Sequence, residues 1–258
     1  SMSDCYKHRG AENVEGVGDG AGIITSLPHK FFAEHLEDFK GDITGLNLSK
    51  EAYERDIKNP YNRETFTTDG ALVEGDYGIA QLFLTNTGDP KKLHDQKEFI
   101  RAALQDKGID VKGWRDVPVG TESVSDAAND LMPPMVQALV ARDSDRDEAP
   151  EDVIKNRDKF ERSLYEAKRY IEEEIAKDIE RGGKTFDDLY VNSLSSRSIV
   201  YKGTITSNNI RPYFTDLQDS DYTATWAGDH SRFSTNTQST PHGAQPFSSL
   251  LHNGEINT

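Results

Sequence analysis

Three short runs crowd the carboxyl end of the chain: G-D-H-S-R-F-S-T-N-T at residues 228–237, A-Q-P-F at 244–247 and H-N-G-E-I-N-T at 252–258. Asn253-Gly254 is a strong turn signal, because both residues tolerate a positive φ. An Asn followed by a Gly can also direct a side-chain amide and a backbone N–H at one point, and that geometry stabilises an oxyanion. Arg232 can bind a carboxylate through two parallel hydrogen bonds. The runs therefore predict a polar site where a globular chain would normally place a simple turn.

These runs end a longer series of motifs. H-R-G-A stands at residues 8–11, G-D-G-A-G-I at 18–23 and S-S-R-S-I-V-Y-K-G at 195–203. Together, and in the same order, the six segments resemble the glutamine amidotransferase domain of the glutamate synthase large subunit, which is of class II, the N-terminal-nucleophile type. A lone H-N-G would be a weak sign, whereas six ordered segments that span nearly the whole chain are highly specific.

The resemblance implies both a function and a fold. The function is the hydrolysis of L-glutamine to glutamate and ammonia, with the ammonia passed to 2-oxoglutarate in a synthase domain outside this chain. The fold is α+β, a four-layer αββα sandwich of two antiparallel sheets, whereas the residues by themselves indicate only mixed α and β structure. We expect residues 1–258 to be a single type-2 amidotransferase domain truncated at both ends, because both ends fall within motifs.

The resemblance also assigns roles to individual residues. Arg232 resembles the arginine that holds the α-carboxylate of the substrate, and Thr235 of the same motif is expected at the substrate site. The Asn253 side-chain amide and the Gly254 backbone N–H resemble the pair that forms the oxyanion hole.

The expected nucleophile departs from the family pattern. Arg9 and Gly10 resemble residues that border it, and in the family it is an N-terminal cysteine whose own α-amine serves as the base. Cys5 lies only three residues before His8 and matches the segment that precedes H-R-G-A. We therefore expect the nucleophilic cysteine to be absent from this chain, and the chain alone to be inactive.

Two alternatives stay open. One is another class II glutamine amidotransferase, such as an enzyme of purine or amino-sugar synthesis. The other is a non-catalytic scaffold that lacks the nucleophile. The forms S-S-R-S-I-V-Y-K-G and H-N-G-E-I-N-T favour glutamate synthase over the other class II enzymes.

Composition argues against several functions. The 258 residues include 45 acidic and 30 basic side chains, which gives a net charge of −15. Nucleic-acid binding needs a basic surface, and an anionic membrane would repel this chain. The acidity fits either plain solubility or adaptation to high salt, where self-repulsion is screened. Cys5 is the single cysteine, so an internal disulfide is excluded and a cytoplasmic location is expected.

The expected cofactors lie outside this chain. The resemblance implies FMN and an iron–sulfur cluster in the full-length enzyme, with an electron donor subunit or ferredoxin as a further partner. Neither cofactor is expected in this segment, since one cysteine cannot hold a cluster. The seven histidines predict no metal site: H-x-x-x-H and C-x-x-C are absent, and His8, His230 and His252 are expected to be polar positioning residues of their motifs.

Two motifs invite a catalytic interpretation that their surroundings do not favour. The glycine-rich run at 18–22 lacks the Lys-Ser/Thr and the spacing of a phosphate-binding loop, so we expect a tight turn where backbones pass closely. Ser195, Ser196 and Ser198 invite a serine-nucleophile interpretation, but no G-x-S-x-G surrounds them.

Hydrophobic periodicity and turn signals predict the helices. Asp89, followed by a proline, begins a helix that Gly108 ends. Residues 151–181 form the clearest helix, with apolar side chains every three or four residues as far as Ile179. Pro28 is expected at the first position of a shorter helix.

Apolar runs predict the strands. Residues 77–84 are typical of a buried strand. Residues 189–191 and 199–201 predict two strands around a polar turn at 192–198. The charged residues 141–150 predict an intradomain loop rather than a linker, because apolar segments continue on both sides.

Overall fold

Two antiparallel β-sheets, packed face to face, form the centre of the protein. The computed structural model describes residues 16–18, 20–41, 75, 77–142, 153–231 and 240–248. Within these residues the strands are β1 (Ala21–Ser26), β2 (Tyr77–Phe83), β3 (Ile109–Asp116), β4 (Met135–Arg142), β5 (Tyr190–Ser195), β6 (Ser198–Gly203) and β7 (Ala227–His230). The α-helices are α1 (His29–Glu34), α2 (Pro90–Gln105), α3 (Asp126–Leu131), α4 (Val153–Glu180) and α5 (Ile210–Tyr213). Short 3₁₀ helices lie at Leu36–Asp38, Thr121–Ser123 and Thr215–Gln218.

The pairing of the strands is antiparallel throughout both sheets. Four strands pair in the order β3-β4-β2-β5 and three in the order β6-β1-β7. Because side chains alternate along a strand, β2 places Tyr77, Ile79 and Phe83 in the layer between the sheets, where they meet Ile199 and Tyr201 of β6. The predicted α+β sandwich of two antiparallel sheets is therefore confirmed.

Helices α2 and α4 cover the outer face of the four-stranded sheet. Ala80 and Leu82 point away from the layer between the sheets and share a core cluster with Leu104 of α2 and Leu164 of α4. The predicted apolar stripe of α4 is buried as far as Ile175. The prediction for Ile179 is wrong: its side chain is 52% exposed, because the last turn of α4 extends beyond the residues that pack on the sheet.

The signals that begin and end helices are mostly confirmed. The Asp89 carboxylate accepts a hydrogen bond of 2.9 Å from the Lys91 backbone N–H, so it caps α2, which ends ahead of Gly108. Pro28 does not occupy the first helical position. It is the residue before α1, with a non-helical ψ of 82°, and the helix begins at His29.

The connection between β5 and β6, which belong to different sheets, is shorter than predicted, because polar residues 192–198 do not all form a turn. β5 continues to Ser195 and β6 begins at Ser198. The Glu161 carboxylate of α4 holds the bend: it accepts hydrogen bonds from the Ser195 hydroxyl at 2.6 Å and from the Ser196 backbone and hydroxyl at 2.8 and 2.6 Å. Ser195 and Ser196 thereby fasten the bend between β5 and β6 to α4.

A buried ion pair lies between the two sheets. Arg115 of β3 donates to both carboxylate oxygens of Asp216, at 2.8 and 2.7 Å, and the two side chains are 5% and 2% exposed. The Tyr201 hydroxyl donates to the same carboxylate at 2.8 Å. Gln137 of β4 accepts from Arg115 and donates to Tyr201, both at 2.9 Å. The network therefore joins both sheets and the 3₁₀ helix at Thr215–Gln218 through satisfied polar groups.

The prediction of a loop at 141–150 is wrong for its first two residues, which lie in a strand. β4 continues through Arg142, which pairs with Ile109 of β3. The rest of the stretch lies outside the described residues. None of the described helices combines the length and the apolarity that crossing a bilayer requires.

Candidate functional site

Four of the six motifs meet at Gly22, in the middle strand of the three-stranded sheet. Gly22 pairs with Lys202 of β6 on one side and with His230 of β7 on the other. The Gln245 carbonyl covers it from outside the sheet: a Cβ added at Gly22 would lie 2.5 Å from that oxygen and 2.7 Å from the Lys202 Cβ. Only glycine fits here, so this position explains the last glycine of G-D-G-A-G-I.

The start of that glycine-rich run differs from its end. Gly20 has a φ of 120°, which suits the predicted turn, whereas residues 21–26 continue as β1. The run therefore leads the chain into the sheet at a point of close backbone approach, and a phosphate-binding loop is not formed by its described residues.

Lys202 lies on the outer face of β6 and is fully buried, with 0% of its surface exposed. Its ammonium group donates a hydrogen bond of 2.6 Å to the His242 backbone carbonyl. The Nζ atom also lies 4.6 Å from the centre of the Tyr190 ring and 4.5 Å from that of Phe247. These distances allow cation–π attraction to both rings. Within the described part of the chain, no carboxylate pairs with Lys202.

The pKa values of Lys202 and of the titratable groups around it are shifted, mainly because these groups are buried. Burial, and secondarily the charge of Lys168 on α4, lowers the pKa of Lys202 to about 7. Burial also lowers the pKa of Lys168, which donates a hydrogen bond of 2.6 Å to the Ser248 hydroxyl. Burial and the Lys202 charge lower the pKa of His242, whereas burial raises the pKa of Tyr190 to about 12.

A cavity of about 300 Å³ opens beside β7, on the side of the sheet where Ile23, Thr25 and Asp229 lie. Tyr222 forms part of its wall and shares a hydrogen bond of 2.9 Å with the Thr25 hydroxyl. His230, the last residue of β7, also lines it, two positions before Arg232 in the sequence. The volume is at the lower end of the range for small-molecule sites.

The structure does not test the predicted site residues, because all of them lie outside the described residues. This holds for Arg9, Gly10, Arg232, Thr235, Asn253 and Gly254, and also for Cys5. The structure does describe their neighbours in the sequence. His230 and Ser231 precede Arg232, and residues 240–248 lie between Arg232 and Asn253.

Sequence reasoning missed the two lysines of this cluster. For Lys202 one feature of the sequence indicated an unusual environment: it directly follows three apolar residues of a predicted strand, although lysine is seldom buried. Lys168 had none, because a lysine on a long amphipathic helix normally lies in solvent. Among the described residues, no group of three or more His, Cys, Asp or Glu side chains could hold a metal ion.

Comparisons of the sequence with known proteins find one matching family. The family model for class-II glutamine amidotransferases matches residues 1–54 and 56–258. The chain is 32% identical over 253 residues to a glutamate synthase (NADPH) large chain of Bacillus subtilis, and 37% identical over 255 residues to a chloroplastic ferredoxin-dependent glutamate synthase of Oryza sativa. These alignments cover 97% and 98% of this chain but only 14% and 13% of the relatives. The chain thus spans about one seventh of the length of these relatives.

Proposed function

Since this chain belongs to the class-II glutamine amidotransferases, we propose that it is the amidotransferase part of a glutamate synthase and that it hydrolyses L-glutamine to glutamate and ammonia. The observation that carries the proposal is the convergence of four motifs on Gly22, where the segments before and after the proposed substrate residues adjoin one sheet. The relatives named above, all glutamate synthases, support it over another class II amidotransferase.

The proposed chemistry assigns the residues predicted from the sequence to two tasks. Arg232, with Thr235 nearby in the sequence, holds the α-carboxylate of glutamine, because a guanidinium group binds a carboxylate with two parallel hydrogen bonds. Asn253 and Gly254 donate to the oxygen that becomes negative when a thiolate adds to the amide carbon. The α-amine that took the thiol proton returns it to the amide nitrogen, and collapse of the adduct then breaks the C–N bond and releases ammonia. Water then hydrolyses the thioester to glutamate.

In the family the thiolate belongs to an N-terminal cysteine, which the segment around Arg9 and Gly10 borders. Cys5 does not match that cysteine in the motif order, and this assignment stays a prediction.

The remaining partners are proposed for the whole enzyme. Ammonia passes to 2-oxoglutarate in the other synthase domains, which use FMN and an iron–sulfur cluster, and the names of the relatives support either NADPH or ferredoxin as the source of electrons. This chain does not fit the cluster, because Cys5 is its only cysteine. We also propose that residues 1–258 act as one domain, supported by the core that the two sheets share, and that the protein is cytoplasmic.

Replacement of Asn253 by Ala in the complete enzyme tests the proposal. We expect glutamine hydrolysis to fall by about 10²–10³, the usual effect of removing one oxyanion donor. Glutamate synthesis from added ammonia should persist, since that chemistry lies in other domains. Asn208→Ala, at an exposed position, is the matched control. Unchanged glutaminase turnover in Asn253→Ala would refute the oxyanion assignment, and glutamine hydrolysis without amination of 2-oxoglutarate would favour another class II amidotransferase.

A further inference from the structure

Two lysines from different elements hold residues 240–248 against the sandwich. Lys202 of β6 donates to the His242 carbonyl at 2.6 Å, and Lys168 of α4 donates to the Ser248 hydroxyl at 2.6 Å. Between these two points the Gln245 carbonyl rests on Gly22. Residues 240–248 are therefore fixed near both ends and in the middle.

Burial of the Lys202 side chain in the fold is energetically unfavourable. Its side chain is removed from water, and within the described residues it has no carboxylate to balance its charge. An apolar residue would fill the same space without the loss of hydration. What an apolar residue would not supply is a donor to the His242 carbonyl, and the Nζ group of Lys202 provides it between two aromatic faces, those of Tyr190 and Phe247.

We propose that Lys202 is a positioning residue of the amidotransferase site, which together with Lys168 fixes the segment that connects Arg232 to Asn253. The inference rests on the proposed function of those two residues. Ser248 is five positions from Asn253, so a chain anchored at Ser248 keeps Asn253 within roughly 17 Å of that residue. Catalytic groups tolerate little displacement, since a shift of about 1 Å can reduce a rate about 10²-fold.

The charged and titratable groups that face Lys202 come from three directions. Lys168 approaches from α4, Tyr190 from β5 and His242 from the anchored segment. Lys168 is itself balanced by Glu172, whose carboxylate lies 3.7 Å from it. The direct contacts of Lys202 are therefore neutral groups, with the charge of Lys168 nearby, and a neutral side chain of similar length would keep the packing but remove the donor.

The experiment is Lys202→Met in the complete enzyme, with Lys168→Met as a second variant and Lys91→Met, at an exposed position, as the control. We expect amide hydrogen exchange of residues 240–248 to become at least about 10-fold faster in both anchor variants, while amides of β2 and β4 stay protected. Glutaminase kcat should fall by about 10-fold or more, with KM changed less and ammonia-dependent synthesis unchanged.

Each outcome decides the inference. Wild-type exchange at residues 240–248 in the variants would overturn the anchoring, and faster exchange with unchanged glutaminase would overturn the positioning role. If Lys202→Met does not fold, Lys168→Met answers the same questions. If the wild-type enzyme shows no glutaminase at all, the proposed function fails, and the exchange data still report whether the lysines anchor the segment.

Discussion

The buried ammonium of Lys202 should leave a measurable signature in the pH dependence of stability. The perturbation is Lys202→Met, which keeps an unbranched side chain, shorter by one atom, and removes the titrating group. In the folded chain burial lowers the pKa of Lys202 to about 7, against an ordinary value of 10.5. Between these two pH values the unfolded chain binds a proton that the folded chain does not, so the stability of the wild type rises with pH across this window.

The magnitude follows from proton linkage. Within the window, wild-type stability should gain about 1.4 kcal/mol per pH unit relative to Lys202→Met. Between about pH 7.5 and about pH 9 the difference between the two proteins should therefore change by about 2 kcal/mol in favour of the wild type. Below pH 7 both states of the wild type carry the proton, so the cost of burying it is fully present and the difference becomes constant.

Urea unfolding of both proteins over a series of pH values measures this difference. Subtraction cancels the titration of all other groups, and Lys91→Met, at an exposed position, should give a difference that does not vary with pH. If the wild type and Lys202→Met show parallel stability curves between about pH 7 and about pH 10, Lys202 is not desolvated, and the reasoning from its burial is refuted.

Three further predictions concern the ion pair, the substrate clamp and the net charge. Arg115→Met should lower the free energy of unfolding by about 3–5 kcal/mol, because it leaves the buried Asp216 carboxylate without its cationic partner. A loss below about 1 kcal/mol would show that water reaches the pair. Arg232→Lys in the complete enzyme should raise the glutamine KM strongly, since an ammonium cannot replace a planar two-point donor, and lower stability at an unchanged KM would make Arg232 structural. Added KCl should raise the thermal midpoint of this chain, given its net charge of −15, and a midpoint that stays flat up to molar salt would contradict adaptation to high salt.

The sequence predicts those elements whose signals are local. The α4 stripe repeats every three or four residues, and Asp89 caps α2 through a contact two residues away, so neither depends on the rest of the fold. The six motifs likewise identify the family, because their residues and their order can be read directly from the sequence. The sandwich itself follows from that resemblance, whereas periodicity alone indicates only mixed α and β structure.

Features that depend on distant partners could not be predicted from local pattern. Asn192 and Ser193 are typical turn residues, yet they lie inside β5 because that strand pairs with the distant β2, where Ser193 is the partner of Gln81. The burial of Lys202 depends on a carbonyl 40 positions away in the sequence. The predicted substrate residues lie outside the described residues, so their assignment rests on the motifs alone.

The ion pair of Arg115 and Asp216 also constrains how this sequence can change through evolution. Each member satisfies the others, so replacing one of them strands a buried charge, whereas replacing the pair and its neighbours Tyr201 and Gln137 together by apolar residues need not be harmful. Such a set is epistatic: an intermediate that keeps only one member of the ion pair is expected to be less stable than either the polar or the apolar version. A lineage that acquired the network is therefore expected to retain it, even if an apolar core would give the same stability.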